Sequence, residues 1–170
     1  MRFVTIVALA VVTAITYGIL HDQITARVCI EYFTIGHPRV FPTESPTLLA
    51  IGWGVIATWW FALPLGFRLA CAARLGDRPK RSARQLIRPL AILLGCTGVV
   101  ATLAGIIGYI LVQSNRIAVD PWVAANVPAD ARFRFIADWS AHTASYASGF
   151  VGSIVLCVWI WRNRRRDAAV

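Results

Sequence analysis

Residues 68–88 read RLACAARLGDRPKRSARQLIR, and this stretch decides how the chain is organised. It contains seven cationic side chains and a single acid, Asp77, and long apolar runs lie on both sides of it. Short loops rich in lysine and arginine stay on the cytoplasmic side of a membrane. The stretch therefore predicts a cytoplasmic basic loop, residues 67–89, which sets the side on which every other loop lies.

The composition is that of a membrane protein. Apolar residues make up 58% of the 170 residues and charged residues 15%, whereas soluble domains average about 45–50% and about 25%. The net charge of +9 is concentrated beside apolar runs, so we interpret it as a topology signal and as a contact with anionic lipid headgroups. No nucleic-acid partner is predicted. Lys80 is the only lysine, an arginine bias that favours a bacterial inner membrane.

Four apolar segments are predicted to cross the membrane as helices: residues 3–20, 47–66, 90–112 and 140–161. A helix rises about 1.5 Å per residue, so each segment approaches the thickness of the hydrocarbon core. The first segment resembles a signal peptide in its position and its preceding charge, but it lacks a cleavage site, so we interpret it as a retained helix. Ser45-Pro46 and the Ser82 to Gln85 spacing predict the starts of the second and third helices.

The distribution of cations predicts the sidedness of these helices. The predicted inner segments hold 12 lysine and arginine residues and the outer segments hold five. The predicted fold is therefore an all-α, polytopic, single domain over residues 1–170, with both termini cytoplasmic, a basic tail at 162–170 and an ordered outer cap made by the two long loops. The residues predicted to set topology and to meet lipid headgroups are Arg74, Arg78, Lys80, Arg81, Arg84, Arg162, Arg164, Arg165 and Arg166.

The first outer loop is dense in β-branched and aromatic residues between positions 28 and 35, which predicts an extended segment, with a continued first helix as the alternative. Glu31, Tyr32 and His37 are groups capable of acid–base chemistry. Neighbours in a strand point to opposite faces, however. We therefore interpret the loop as a plug that packs Tyr32 and Phe33 onto the helix ends.

Small residues recur every three or four positions in the third and fourth spans. Such stripes let helix backbones approach closely in lipid, where apolar side chains gain little by meeting each other. The pattern predicts that these two helices pack together. The residues predicted to form the contact are Gly95, Gly98, Thr102, Gly105, Gly108, Ala141, Ser145, Gly149 and Gly152.

The strongest candidate site joins the end of the first span to the start of the fourth. Asp138 and His142 lie four residues apart, on one helix face. If His21 and Asp22 lie opposite them, imidazoles and carboxylates meet at the outer rim, a donor set that suits zinc or another first-row metal. A shared ion requires the ring nitrogens of the two histidines to lie within about 5 Å.

Three further interpretations of this group stay open. Two histidines alone can ligate a haem iron from opposite faces. A histidine near neutrality can also make the contact between the helices sensitive to protonation. The simplest alternative is a solvated polar rim in which Asp138 orients His142.

Other function classes are disfavoured by what the sequence lacks. Membrane enzymes that relay disulfides need paired outer cysteines, and here only Cys29 is predicted outside. Coupled transporters need ionisable groups at depth, and the four predicted spans contain no aspartate, glutamate, lysine or arginine.

The first functional hypothesis is a non-catalytic accessory subunit that binds a membrane protein partner or assembles as a homo-oligomer. The second is an outer-face metal- or haem-binding protein, with a redox role as one form of it. The third is a sensor of external pH or of a small ligand that signals through the fourth helix. No catalytic signature is present, which favours a non-enzymatic role.

Overall fold

The computed structural model describes residues 2–166, and within that range the chain is helical without any strand. Side chains are described up to Arg164, so the predicted headgroup contacts of Arg165 and Arg166 lie outside the described residues. The helices are α1 (Arg2–Val28), α2 (Ile30–Thr34), α3 (Pro46–Ile56), α4 (Trp59–Arg74), α5 (Ala83–Gln113), α6 (Pro121–Asn126) and α7 (Arg132–Arg166).

The prediction of an all-helical membrane protein is confirmed at the level of helix length and apolarity. Helices α1, α5 and α7 are each long and apolar enough to cross a bilayer, and α3 with α4 forms a fourth candidate if the pair is taken as one span. The axes of α3 and α4 meet at a bend of 41°. The described part of the chain therefore has three, or up to four, candidate spans.

Two helices are longer than the spans predicted within them, and one segment predicted to be extended is helical. Helix α1 continues eight residues beyond the predicted first span, to Val28, and α7 begins at Arg132 and runs on into the predicted fourth span, as the helical composition of residues 129–138 allows. The extended segment predicted for residues 28–35 is the short helix α2 instead, separated from α1 only by Cys29 in an extended conformation. A helical turn satisfies backbone hydrogen bonds within the segment itself, and this outweighs the weak β-preference of branched side chains.

The predicted helix starts are confirmed. Ser45 precedes α3 with Pro46 in the first turn, and the Ser45 hydroxyl accepts a hydrogen bond from the Leu48 amide. At α5 the side-chain oxygen of Gln85 accepts from the backbone amide of Ser82 at 2.8 Å. These local rules hold because they depend on residues within one turn.

The long helices form a ring. Helix α1 packs against α3, α4 and α5, and α7 packs against α5 and α4, so α1 and α7 lie across the ring from each other. We call the end that carries His21 and His142 the histidine end, and the end that carries residues 74–84 and Arg164 the arginine end. An apolar cluster that includes Ile6, Leu86 and Ile160 fills the ring toward the arginine end.

Helix α1 approaches α3 at backbone distance. A Cβ atom added to Gly18 would collide with the Thr58 hydroxyl and would lie 2.8 Å from the Gly54 carbonyl oxygen. A Cβ atom added to Gly54 would lie 2.6 Å from Cα of Ile19. Only glycine permits this approach, which fixes the position of α1 one turn before His21.

The small residues of α5 and α7 serve several contacts. Gly105 and Gly108 face α7, where added Cβ atoms would lie 3.3 Å from Ala141 Cβ and 2.9 Å from Ser140 Cβ, and Gly152 faces Leu93 of α5. The other predicted packing residues lie elsewhere. Gly98 faces Tyr17 of α1, Gly149 faces Phe61 of α4, and Ser145 bonds to Tyr17. A Cβ atom added to Gly95 would meet no atom of the described neighbouring residues within 4 Å, and Thr102 is exposed.

At the arginine end, Arg164 is fully buried, with an exposed fraction of 0%. It was predicted to meet lipid headgroups, but its guanidinium instead donates to the carbonyls of Ala72, Leu75, Arg78 and Pro79 at 2.6 to 3.0 Å. Those carbonyls belong to the end of α4 and the loop after it, whose backbone acceptors are unpaired by the helix. Lys80, Arg84 and Arg162 are exposed.

Candidate functional site

The histidine end brings together residues from opposite sides of the ring. His21 and Asp22 come from α1, and His142 comes from α7, ten residues after that helix begins. Both helices continue on either side of the cluster, which places these side chains between helices. Asp22 is 5% exposed and the side chain of His142 is 12% exposed. The interpretation of these residues as a solvated polar rim is therefore wrong, because they form a buried cluster.

His142 is held by both of its ring nitrogens. Nδ1 lies 2.8 Å from the backbone carbonyl oxygen of Asp138, one turn earlier in α7. Nε2 lies 3.2 Å from Oδ1 of Asp22. Because a carbonyl oxygen can only accept, Nδ1 must carry the hydrogen. The nitrogen that faces Asp22 is therefore the one with the lone pair when the imidazole is neutral.

This arrangement requires an additional positive charge. A neutral His142 and an ionised Asp22 would place a lone pair against a carboxylate oxygen at 3.2 Å, which is repulsive. The conflict disappears if one proton or one metal ion lies between the two groups. The backbone bond at Nδ1 is also the contact that usually orients a metal-binding histidine.

A proton shared by His142 and Asp22 leaves one buried nitrogen of His21 without a partner. The ring of His21 lies edge-on to that of His142, with centroids 4.6 Å apart, and it stacks on Tyr17 at 5.7 Å. Nε2 of His21 is buried and has no hydrogen-bond partner among the described residues. Leaving a buried polar atom unpaired costs on the order of 1–3 kcal/mol, so this nitrogen calls for a ligand.

The three side chains fit one metal ion. One ligand atom from each of His21, Asp22 and His142 lies within 4.8 Å of the other two. Tetrahedral zinc, with bonds of about 2.0–2.2 Å, separates its ligand atoms by about 3.3 Å. The pair of Asp22 and His142 already has that separation, and a rotation of the His21 ring would bring in the third ligand.

Asp138, the fourth residue predicted for this site, is not part of the metal-ligand group. Its backbone carbonyl orients His142, but its carboxylate belongs to a groove between α1 and α5 that also includes Thr25 and Tyr109. The residue is 2% exposed, and none of the described residues forms a hydrogen bond with its Oδ2 atom. It contributes to the site through the main chain.

The haem alternative does not fit this geometry. Two axial histidines must face each other across a planar macrocycle. The rings of His21 and His142 instead meet edge to face at 4.6 Å, at an angle of 70°. That contact leaves no room for a porphyrin between them.

The short helix α2 covers the cluster. Tyr32 lies over His142 with ring centroids 4.5 Å apart, and Phe33 is 2% exposed, as a plug would be. His37 donates from Nδ1 to the Tyr32 carbonyl at 2.8 Å and packs on Trp53. Burial raises the pKa of the Tyr32 phenol and lowers the pKa of His37. Both groups are therefore neutral at pH 7.

The cysteine at the histidine end is inert. Cys29 is 1% exposed, and its thiol donates to the Glu31 carboxylate at 3.2 Å. Burial raises the pKa of the Cys29 thiol to about 12, and the bond to Glu31 acts in the same direction. A thiol in this state is a poor nucleophile and a poor metal ligand at pH 7.

A cavity of about 140 Å³ extends from the cluster into the ring. His21, Asp22 and His142 line its polar end, and leucines such as Leu69, Leu90 and Leu156 line the rest. Two residues on its wall were not predicted as functional. Thr97 and Tyr17 gave no sequence signal, because one hydroxyl in an apolar helix is common and only the packing shows where it points.

No known protein family, curated protein sequence or solved structure is detectably similar to the chain.

Proposed function

We propose that the protein is a membrane metal-binding protein that holds one first-row divalent ion, with zinc as the reference ion, through His21, Asp22 and His142. The observation that supports this most strongly is the meeting of three ligand atoms within 4.8 Å, next to a buried His21 nitrogen without a partner. Imidazole nitrogen with carboxylate oxygen is a donor set for zinc and its neighbours in the first row.

A proton between Asp22 and His142 explains fewer features of the cluster than a bound metal ion does. If His142 is protonated, it forms an ion pair with Asp22, and the site becomes the pH-sensitive contact that the sensor hypothesis requires. That state leaves Nε2 of His21 buried and unpaired. A metal ion satisfies all three side chains at once, so we rank metal binding above pH sensing.

The accessory-subunit hypothesis explains the lipid-facing surface but not the cluster. A subunit that only packs against a partner gains nothing from two imidazoles and a carboxylate buried inside its own ring. Burying such groups is costly unless they are paired or bind a metal. A metal site is compatible with assembly into a homo-oligomer, which is one form of the accessory-subunit hypothesis.

We further propose a sidedness for the site. The basic loop and tail at the arginine end favour a cytoplasmic position for that end, against anionic headgroups, with four spans and both termini inside. The metal site then lies at the outer side of a cell membrane. Three protein ligands leave a coordination position open, as in zinc sites that bind a water or a substrate.

Metal analysis of the purified full-length chain tests the proposal. After dialysis against zinc and gel filtration, about one zinc per chain is expected by elemental mass spectrometry, whereas His21→Ala and His142→Ala should retain almost none. His37→Ala is the matched control, since it removes the third histidine of the same end and should leave the zinc in place. Zinc content that is equal in all four proteins would refute the site.

A further inference from the structure

The cavity beside the metal cluster has the size and the lining of a small-molecule site, whether or not a metal is bound. Its volume of about 140 Å³ is close to that of an engineered apolar cavity of about 150 Å³ that stays dry and binds benzene. One six-membered ring therefore fits. An apolar enclosure with a few polar groups at defined positions is the usual form of a small-molecule site.

Thr97 is the first of those polar groups. It is 3% exposed, it lies on the cavity wall, and its hydroxyl has no hydrogen-bond partner among the described residues. Five other helical threonines donate their hydroxyl hydrogen to the backbone carbonyl four residues earlier, namely Thr13, Thr16, Thr25, Thr34 and Thr102. The free hydroxyl of Thr97 is thus a donor available to a molecule in the cavity.

Tyr17 and Ser145 provide a second donor on the same wall. Their hydroxyl oxygens lie 2.9 Å apart, and either can donate to the other. Two hydroxyls carry two hydrogens, and the bond between them uses one. The remaining hydrogen is available to the cavity. Tyr146, the other phenol there, already donates to the Ala57 carbonyl at 3.0 Å.

The ligand that matches this wall has acceptor oxygens on an apolar ring. We propose that the cavity binds the head group of a membrane-soluble benzoquinone, whose carbonyl oxygens accept hydrogen bonds from Thr97 and from the Tyr17–Ser145 pair. A quinone carries two acceptors and no donor, which complements two free hydroxyl hydrogens. The leucines toward the arginine end suit an alkyl substituent. A lipid acyl chain would fill the apolar part but would leave both donors unpaired.

Binding of a decyl-substituted benzoquinone to the full-length, detergent-purified protein tests the inference. Decylbenzene, which lacks the oxygens, is the reference ligand. Both titrations are made after chelator treatment, so that loss of the metal site cannot cause a negative result. The quinone is expected to bind at least about tenfold more tightly than decylbenzene, since two hydrogen bonds to buried donors are at stake. Equal affinities would mean an acyl-type occupant and would overturn the proposal.

Two pairs of matched variants locate the site. Thr97→Val should weaken quinone binding about five- to tenfold, while Thr102→Val, at an exposed position on the same helix, should not change it. Gly149→Leu should abolish binding, because the residue lines the cavity and an added Cβ atom has space there, with Phe61 at 4.0 Å. Gly95→Leu adds the same side chain where an added Cβ atom meets none of the described neighbours within 4 Å, and this variant should bind normally. Unchanged binding in Thr97→Val would refute the assignment even if Gly149→Leu failed to fold.

Discussion

Nη1 of Arg164 lies 2.6 Å from the carbonyl oxygen of Ala72, so the last turns of α7 are bonded directly to the end of α4. The other nitrogens of the same guanidinium bond to the carbonyls of the loop after α4. No carboxylate takes part among these contacts. The positive charge is balanced by carbonyl dipoles at a helix C-terminus, where a cation is favoured.

Arg164→Ala should therefore destabilise the protein more than any other arginine substitution at that end. Loss of several charge-assisted hydrogen bonds and exposure of unpaired carbonyls should lower the free energy of unfolding by on the order of 3 kcal/mol. Thermal unfolding in detergent measures the effect. Arg162→Ala, on the exposed side of α7, should lie within about 0.5 kcal/mol of the parent, and equal losses in both variants would contradict this assignment.

Gly18→Ala should weaken metal binding, although Gly18 does not contact the metal site. The new methyl group would collide with Thr58 and would lie 2.8 Å from the Gly54 carbonyl oxygen, so α1 must move away from α3. We expect a loss of about 1–3 kcal/mol of stability together with weaker zinc retention. Gly95→Ala is the matched control. The added Cβ atom meets no neighbour within 4 Å in the described part of the chain, and alanine should be neutral or stabilising by up to about 1 kcal/mol.

Asp22→Asn separates the three-ligand site from the four-residue group predicted from the sequence. The amide keeps the shape of the carboxylate but removes its charge, and zinc affinity should fall at least about tenfold. Asp138→Asn should leave zinc affinity within about twofold of the parent, because Asp138 contributes its backbone carbonyl rather than its carboxylate. Competition with a zinc chelator of known affinity measures both. Equal losses would place Asp138 among the ligands.

The stability of the protein should depend on pH through His37. Burial lowers the pKa of this imidazole below its unfolded value of about 6.5, with the nearby His142 acting in the same direction, while the Tyr32 carbonyl and Asp22 oppose the shift,. Below about pH 6.5 the unfolded chain binds a proton that the folded chain does not. Stability is therefore full above that pH and falls as the pH drops toward the folded pKa.

His37→Asn tests this dependence, since the amide can still donate to the Tyr32 carbonyl but cannot titrate. The melting temperature of the variant should fall less steeply than that of the parent between pH 6.5 and pH 5. His21 and His142 are present in both proteins, so they do not affect the comparison. Parallel curves would assign the pH dependence to other groups.

The proposed sidedness can be measured with a membrane-impermeant maleimide. In a chain whose four native cysteines are replaced by alanine, Lys80→Cys should react only after the cells are permeabilised. Glu44→Cys should react in intact cells, because its side chain at the opposite end is 81% exposed. Reaction of position 80 in intact cells would reverse the topology and place the metal site inside.

The sequence predicted what depends on short-range chemistry. The caps at Ser45 and Ser82 form as expected because each involves a single turn. The convergence of His21 with His142 was also proposed from the sequence, as a condition on helix neighbours. The composition could not show how deeply these side chains are buried. His21 and Asp22 appeared to mark the exit from lipid because they are polar, yet they face other helices inside the ring.

Other features depend on packing and have no local signal. Arg164 is one of four arginines between positions 162 and 166, and nothing in that run distinguishes it until the loop after α4 is seen to close around it. Thr97 is similarly one threonine in an apolar helix. The bend between α3 and α4 falls at Ala57 and Thr58, without a proline at the break, and the Ala57 carbonyl is bonded by Tyr146 from α7.

The backbone contact between Gly18 and Gly54 has a consequence for recognising distant relatives. Because α1 can carry its histidine to this position only if glycine stands one turn earlier, the spacing G-x-x-H-D in one hydrophobic helix and a histidine in a second hydrophobic helix belong together as a signature. A homologue could lose nearly all other identity and keep the chemistry. Conversely, we expect that a sequence with both histidines but with a bulky residue in place of this glycine does not bind the ion.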